Sequence, residues 1–400
     1  MAEESGTIFP EPITNNAIFL FFLTLFVFAL IYISNKLGRN EKKCEIIESN
    51  RNNDIDVFYN MNDLISANYF TGTIKVENDS IDYDYKLKDF YIKTAHNCFC
   101  NGNFKNGHVN VCALQNCAAQ GVRALDMQVF SKNNTPIVAC SSANQNTIKE
   151  SFNEITLEDA LSNIYNTYFI ETNFVNGAIN NMKNDPLFLI LRLHYGNMNI
   201  MNDKNEKLTM KQKQMAFYNQ IYNNLTASFE PSKFASREFD TLYGADYEKA
   251  DIIPNMDMKD TKEKIFIFVI INNEPNYNNV KESNLHKIVD LYGDNFYNYR
   301  FNEIYDDSDS VYNVNKYKSQ ESLTYCMPTW SSYDNNYDFV QAFKQGTQFV
   351  GMNFQNNDTY LHHYNEFFMS QIGYSSENIT SPYIKKPDHM IKLPLNIKIV

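Results

Sequence analysis

Three apolar runs constrain this chain most. YIKTAHNCF (Tyr91–Phe99), QGVRALDMQVF (Gln120–Phe130) and DPLFLILRLH (Asp185–His194) are each an apolar, strand-like run that carries one or two polar residues toward its end. A short apolar run without helical spacing reads as a strand buried on both faces. Polar residues gathered at the C-terminal ends of such strands are how a parallel α/β barrel builds a site. KIFIFVII (Lys264–Ile271) and TQFVGMNF (Thr347–Phe354) read as further strands, and LEDALSNIYNTYF (Leu157–Phe169) and KQKQMAFYNQIYNNL (Lys211–Leu225) as helices. This alternation predicts a parallel α/β barrel with insertions, and no internal repeat interrupts it.

The 400 residues are 44% apolar, enough for a real core, and the net charge of −12 excludes nucleic acid as a partner. Lysine outnumbers arginine 29 to 6, the bias of an AT-rich genome such as that of a large DNA virus or a protist, and it carries no functional information. Seven cysteines, at 44, 98, 100, 112, 117, 140 and 326, lack the spacing of a structural zinc site. They are expected to be reduced thiols in a cytosolic fold.

Ala17–Ile33 carries no charge and one polar residue, Thr24. As a helix it rises about 26 Å, and the flanking Ile13–Asn16 and Ser34 complete a bilayer span. The acidic start (Glu3, Glu4, Glu11) is wrong for a cleaved signal peptide, so a retained anchor is expected. Lys36, Arg39, Lys42 and Lys43 follow the helix and no Lys or Arg precedes it. The positive-inside rule then puts the N-terminus outside and the body in the cytosol.

The ordered set of runs resembles the phosphoinositide-specific phospholipase C family. The first three are similar to the strands of its X-half, which read roughly fYIsSSHNTY, GcRcvELDcW and PvIlSlEnH. Ile252–Ile270, Tyr337–Asp358 and Pro382–Pro387 resemble three stretches of its Y-half, in the right order. The resemblance implies a distorted TIM barrel, with 59–202 as the X-like half, 203–258 as a linker or helical insertion and 259–398 as the Y-like half. Residues 1–16 are then a tail, 17–35 the membrane helix and 36–58 a juxtamembrane linker. The family's lipid-binding, EF-hand and C2 modules are not expected here, and the membrane helix is expected to stand in for them.

The resemblance also implies a site, much altered. In the family two histidines flank the scissile phosphodiester, and a calcium ion held by an Asn, an Asp and two Glu assists the attacking hydroxyl. His96 and Asn97 keep the family's H-N pair. Asp126 retains a carboxylate one methylene shorter, and Gln128 replaces the aspartate two residues on. Arg192 stands at a glutamate, and a guanidinium cannot ligate calcium. Arg192 is expected to pair with Asp126 and fill the metal's volume, so no calcium or other cofactor is expected. Cys140 takes the place of the second histidine, and neither His108 nor His194 falls at that position. Of the headgroup contacts, Phe268 and Ile270 replace two lysines, and Tyr325 and Met327 replace the Arg and Tyr of S-R-I-Y-P; the residues left to bind substrate are then Asn97, Gln128 and Tyr325. No arginine follows Phe301.

These readings predict a membrane-anchored phospholipase C-like barrel, inactive or strongly impaired, with a binding or structural role. Its partners are the bilayer, through the N-terminal helix, and a phospholipid headgroup. The alternative is an active, metal-independent phosphodiesterase that cleaves phosphatidylinositol-type lipids with His96 and Arg192.

Overall fold

The computed structural model describes residues 17–35, 38, 41–46, 86–143, 148–170, 185–195, 209–237, 249–271, 277–305, 321–369 and 384–385. Eight parallel strands organise it: β1 (Tyr91–Ala95), β2 (Ala124–Lys132), β3 (Leu187–His194), β4 (Ile265–Ile271), β5 (Leu291–Tyr292), β6 (Tyr297–Arg300), β7 (Thr324–Met327) and β8 (Phe349–Met352). They hydrogen-bond in the order β6-β7-β8-β1-β2-β3-β4-β5, so the last strand lies beside the first and the sheet curls into a barrel. The seam falls between β5 and β6, which are neighbours in sequence but share no ladder among the described residues. This is the predicted α/β barrel.

The N-terminal helix α1 is Ala17–Asn35, and α2 (Val111–Ala119), α3 (Leu157–Tyr165), α4 (Met210–Ser228), α5 (Phe339–Lys344) and α6 (Thr359–Met369) follow β1, β2, β3, β7 and β8. Each of α2 to α5 starts where a short polar side chain covers free backbone N–H groups. Asn110 accepts from Cys112 N at 3.0 Å, Thr156 from Asp159 N at 3.1 Å, Thr209 from Gln212 N at 3.2 Å and Asp338 from Val340 N at 3.2 Å. Within the segment expected to be a linker or insertion, α4 is the crossover helix from β3 to β4, burying Phe217, Tyr218, Ile221 and Leu225.

Alternation along the strands separates two cores. Ile92, Ala124, Phe188, Ile190, Phe266, Phe268 and Phe349 fill the barrel, whereas Ala95, Leu125, Leu189, Leu191, Ile267 and Val269 face the helices. β2 runs on beyond the barrel, turns at Asn133 and Asn134 with φ of 52° and 66°, and returns antiparallel as Thr135–Ala139. Positive φ at both central residues is what a tight two-residue hairpin requires, and asparagine tolerates it.

The thiol expectation needs one correction. Cys44 and Cys112 form a disulfide across 68 residues, while Cys98, Cys100, Cys117, Cys140 and Cys326 are free and buried. Residues 41–46, expected to be linker, are helical and joined to the barrel through this bond. Helix α1 spans 19 residues at a mean hydropathy of 2.6 and is wholly exposed, long and apolar enough to cross a membrane. The expected barrel start at 59 and most of the last Y-like stretch lie outside the described residues. Of that stretch, Ile384–Lys385 pairs antiparallel with Tyr91 and Ile92.

Candidate active site

The alternation that puts Ile92 and Thr94 inside the barrel delivers His96 at the C-terminal end of β1. The backbone turns there: His96 N donates to Met352 O at 2.8 Å, and Asn97 takes a φ of 49°. On β2 the inward positions are Ala124 and Asp126, on β3 Phe188, Ile190 and Arg192, and on β7 Tyr325. Gly351 on β8 gives them room, because a Cβ there would lie 2.8 Å from the Tyr325 hydroxyl oxygen and 3.2 Å from His96 Cβ.

Asp126 is the hub. Arg192 Nε donates to its Oδ1 at 2.6 Å, and Oδ2 takes the Tyr325 hydroxyl at 2.8 Å and lies 2.5 Å from His96 Nδ1. Arg192 Nη2 reaches Asn97 Oδ1 at 2.5 Å. The guanidinium thus occupies one carboxylate oxygen of Asp126 and the amide oxygen of Asn97. Arg192 Nη1 and Asn97 Nδ2 are buried without a hydrogen-bond partner among the described residues. A pair of orphaned donors in so dry a place is costly unless a ligand supplies the acceptors.

Burial and the Arg192 charge pull the His96 pKa from its usual 6.5 to about 3, against the opposing pull of Asp126. The imidazole is therefore neutral at pH 7, with Nδ1–H turned to Asp126 and Nε2 left as the lone-pair nitrogen. Burial alone pushes the Asp126 carboxyl up, but the Arg192 and His96 interactions outweigh it and hold the group well below the usual range. Burial also raises the Tyr325 hydroxyl well above 10, so it remains a donor.

Arg300, at the end of β6, was not among the expected site residues. Its side chain stacks 3.5 Å from the Trp330 ring centroid and its Nη1 donates to Pro328 O at 2.8 Å. Burial and the nearby Arg192 lower its pKa to about 9, which leaves it charged at neutral pH. The sequence carries a signal for it: YNYR, like the first three runs, is strand-like with a polar residue toward its end. Arg300 thus lies near Arg192 and Asp126, with the Glu303 carboxylate also close enough to act on it.

Other expected site residues lie elsewhere. Gln128 spends its amide on the return strand, accepting from Ser141 N at 2.6 Å and donating to Ser141 O at 3.2 Å. Cys140 is buried beside the Cys100 thiol, and its backbone N–H donates to Ser151 Oγ at 3.2 Å. It makes no bond to His96. His108 packs against Phe152 and His194 stacks on Phe130, so neither supplies an imidazole opposite His96. Phe268 and Ile270 belong to the apolar filling. Among the described residues no three His, Cys, Asp or Glu side chains converge as a metal site.

No family model and no curated protein matches the sequence. The fold does match solved structures. PLC21 of S. officinalis aligns at a TM-score of 0.50 and 13% identity, over 72% of this chain and 36% of that one. PLC21 of L. pealei aligns at a TM-score of 0.50 and 14% identity, again over 72% and 36%. The chain spans about a third of the length of those proteins. The fold is thus the phospholipase C-type α/β barrel in a divergent sequence, and at this identity the likeness speaks for fold alone.

Proposed function

We propose that this chain is a membrane-anchored, phospholipase C-like barrel that binds a phospholipid headgroup at its C-terminal end and cleaves it poorly or not at all. The observation that carries this reading is the Asn97–Arg192–Asp126 chain of bonds. A fixed guanidinium satisfies the oxygens that a calcium ion would need, so the residues present do not fit calcium, which requires several free oxygen ligands. The neighbouring Arg192 and Arg300 guanidiniums and the orphaned donors on Arg192 and Asn97 suit a singly charged phosphodiester.

Chemistry is a different matter. An imidazole held to a pKa of about 3 is a weak base at pH 7. Cys140 stands where the second imidazole is expected, and lacking such an acid typically costs about 10²–10⁴ in rate. Labelled phosphatidylinositol liposomes, with and without calcium, provide the test: release of inositol phosphate is expected to stay at background in both. The second reading, a metal-independent phosphodiesterase, draws on the free Arg192 Nη1 and on His96 Nε2. Calcium-independent turnover that His96→Ala abolishes would establish it and overturn the first.

The two indicators of topology oppose each other. The basic flank of α1 argues for a cytosolic barrel, whereas the Cys44–Cys112 bond argues for an oxidising side. Lys43 is a weak witness for the first, because it docks against the barrel at Gly102. Protease protection of the barrel in sealed membranes decides between them.

A further inference from the structure

In a βα barrel the segments that follow strand ends gather at one end, the end that carries the site. The loop after β1 and the first turn of α2 belong to it, and that is where the segment after α1 attaches. Cys44 is bonded to Cys112, Asn101 Nδ2 donates to Cys44 Sγ at 3.3 Å, and Lys43 Nζ fills the space a side chain at Gly102 would need, 1.8 Å from an ideal Cβ. Gly102 has a φ of 100°, so glycine suits both the backbone and the docked lysine.

We propose that the Cys44–Cys112 disulfide is an orienting staple that holds the site end of the barrel against the bilayer spanned by α1. The proposal rests on the anchor reading above. Cys44 is nine residues beyond Asn35, so the rim of the barrel cannot stand more than about 30 Å from the end of the membrane helix. Without the bond, the next described attachment is Lys86, 51 residues from Asn35, where its ammonium pairs with Asp257 at 2.6 Å. The covalent reach then grows to about 170 Å.

The surface at that end fits the same partner. Outside α1, seven large apolar side chains are exposed among the described residues, and only Ile170 lies at the opposite end. The other six sit on the docked segment, on loops after strands or on first turns of helices; Ile148 is 72% exposed and Tyr333 62%. A rim of isolated aliphatic and aromatic groups is suited to the headgroup region of a bilayer. Reduction would release the rim: a dithiol gives two electrons and two protons, the S–S bond becomes two thiols, and the reagent closes to its own disulfide.

Trp330, the chain's single tryptophan, is on the loop after β7 at this end and reports directly. The full chain is reconstituted in phosphatidylcholine vesicles, with and without brominated acyl chains. Trp330 is expected to be quenched by bromine in the oxidised protein, and much less after dithiothreitol or in Cys44→Ser, whose change lies outside the barrel. Lengthening the leash lowers the effective concentration at the bilayer roughly tenfold, so the loss of quenching should be several-fold. Equal quenching in the oxidised, reduced and Cys44→Ser proteins overturns the staple, as does failure to find the Cys44–Cys112 peptide pair in unreduced, membrane-extracted protein. Flotation separates the layers of the argument: a chain that does not float with vesicles overturns the anchor reading and this proposal with it, and one that floats with unchanged quenching overturns the staple alone.

Discussion

The lower barrel interior is filled by Ile92, Phe188, Phe266, Phe268 and Phe349, and its upper end by His96, Asp126, Arg192, Arg300 and Tyr325; none of the ten is more than 5% exposed. Phe188 stacks on Phe266 at 5.0 Å, Phe268 lies 4.6 Å from Phe296, and Phe188 meets Phe349 edge-on at 5.1 Å. Below, every atom is satisfied by contact. Above, four donors (Arg192 Nε, the Tyr325 hydroxyl, His96 Nδ1 and the Asn97 backbone N–H) share one carboxylate, and two donors find no partner among the described residues. Apolar packing carries no such unmet donors, and under the function proposed above the upper layer is the part of the barrel expected to meet a ligand.

The largest expected effect attacks the hub. Asp126→Ala leaves Arg192 buried without the carboxylate it bonds and should cost about 3–5 kcal/mol, read as a lower denaturant midpoint at unchanged slope. A loss under about 1 kcal/mol would mean that the upper layer is not held by this charge, and the contrast with the lower layer would break.

Acid provides the next. Unfolded His96 takes a proton below its usual 6.5, whereas the folded protein accepts one only near 3. Between those values the unfolded chain carries the extra proton, so stability falls as pH drops, by at most about 1.4 kcal/mol per unit. Asp126, held below its ordinary range, adds a loss of the same sign at lower pH. From pH 6.5 to pH 4 the expected decrease is about 3 kcal/mol. His96→Gln should flatten the upper part of that curve, and an equally steep curve in the variant would assign the effect to other groups.

The two layers were not equally legible in the sequence. β1, β2 and β3 were readable because an apolar run with a polar end admits few alternatives, and so was the expected meeting of Arg192 with Asp126, since opposite charges at matching strand ends seek each other. Sequence places Tyr325 among the substrate-binding residues, where the family has a headgroup arginine, and its hydroxyl belongs to the Asp126 hub; nothing in TYCMP shows how far a tyrosine reaches across a barrel. Gln128 looked like a mouth residue because register alone cannot show that β2 overruns the barrel and folds back on itself. Cys44 and Cys112 are 68 residues apart, and spacing of that kind contains no information about pairing.

The smallest expected effect tests the lower layer. Phe268→Leu keeps the site of the side chain apolar and removes part of a ring that lies 5.8 Å from those of Phe188 and Phe349. Its cost should be about 1–1.5 kcal/mol, because neighbouring rings can close part of the gap. No ionisable group is touched, so the loss should be the same at pH 7.5 as at pH 5, where the upper layer has already begun to weaken. A penalty that changed with pH would show that the aromatic packing and the Asp126 network move together. The interior would then be one cooperative unit, and ligand binding above would be expected to stiffen the floor beneath it.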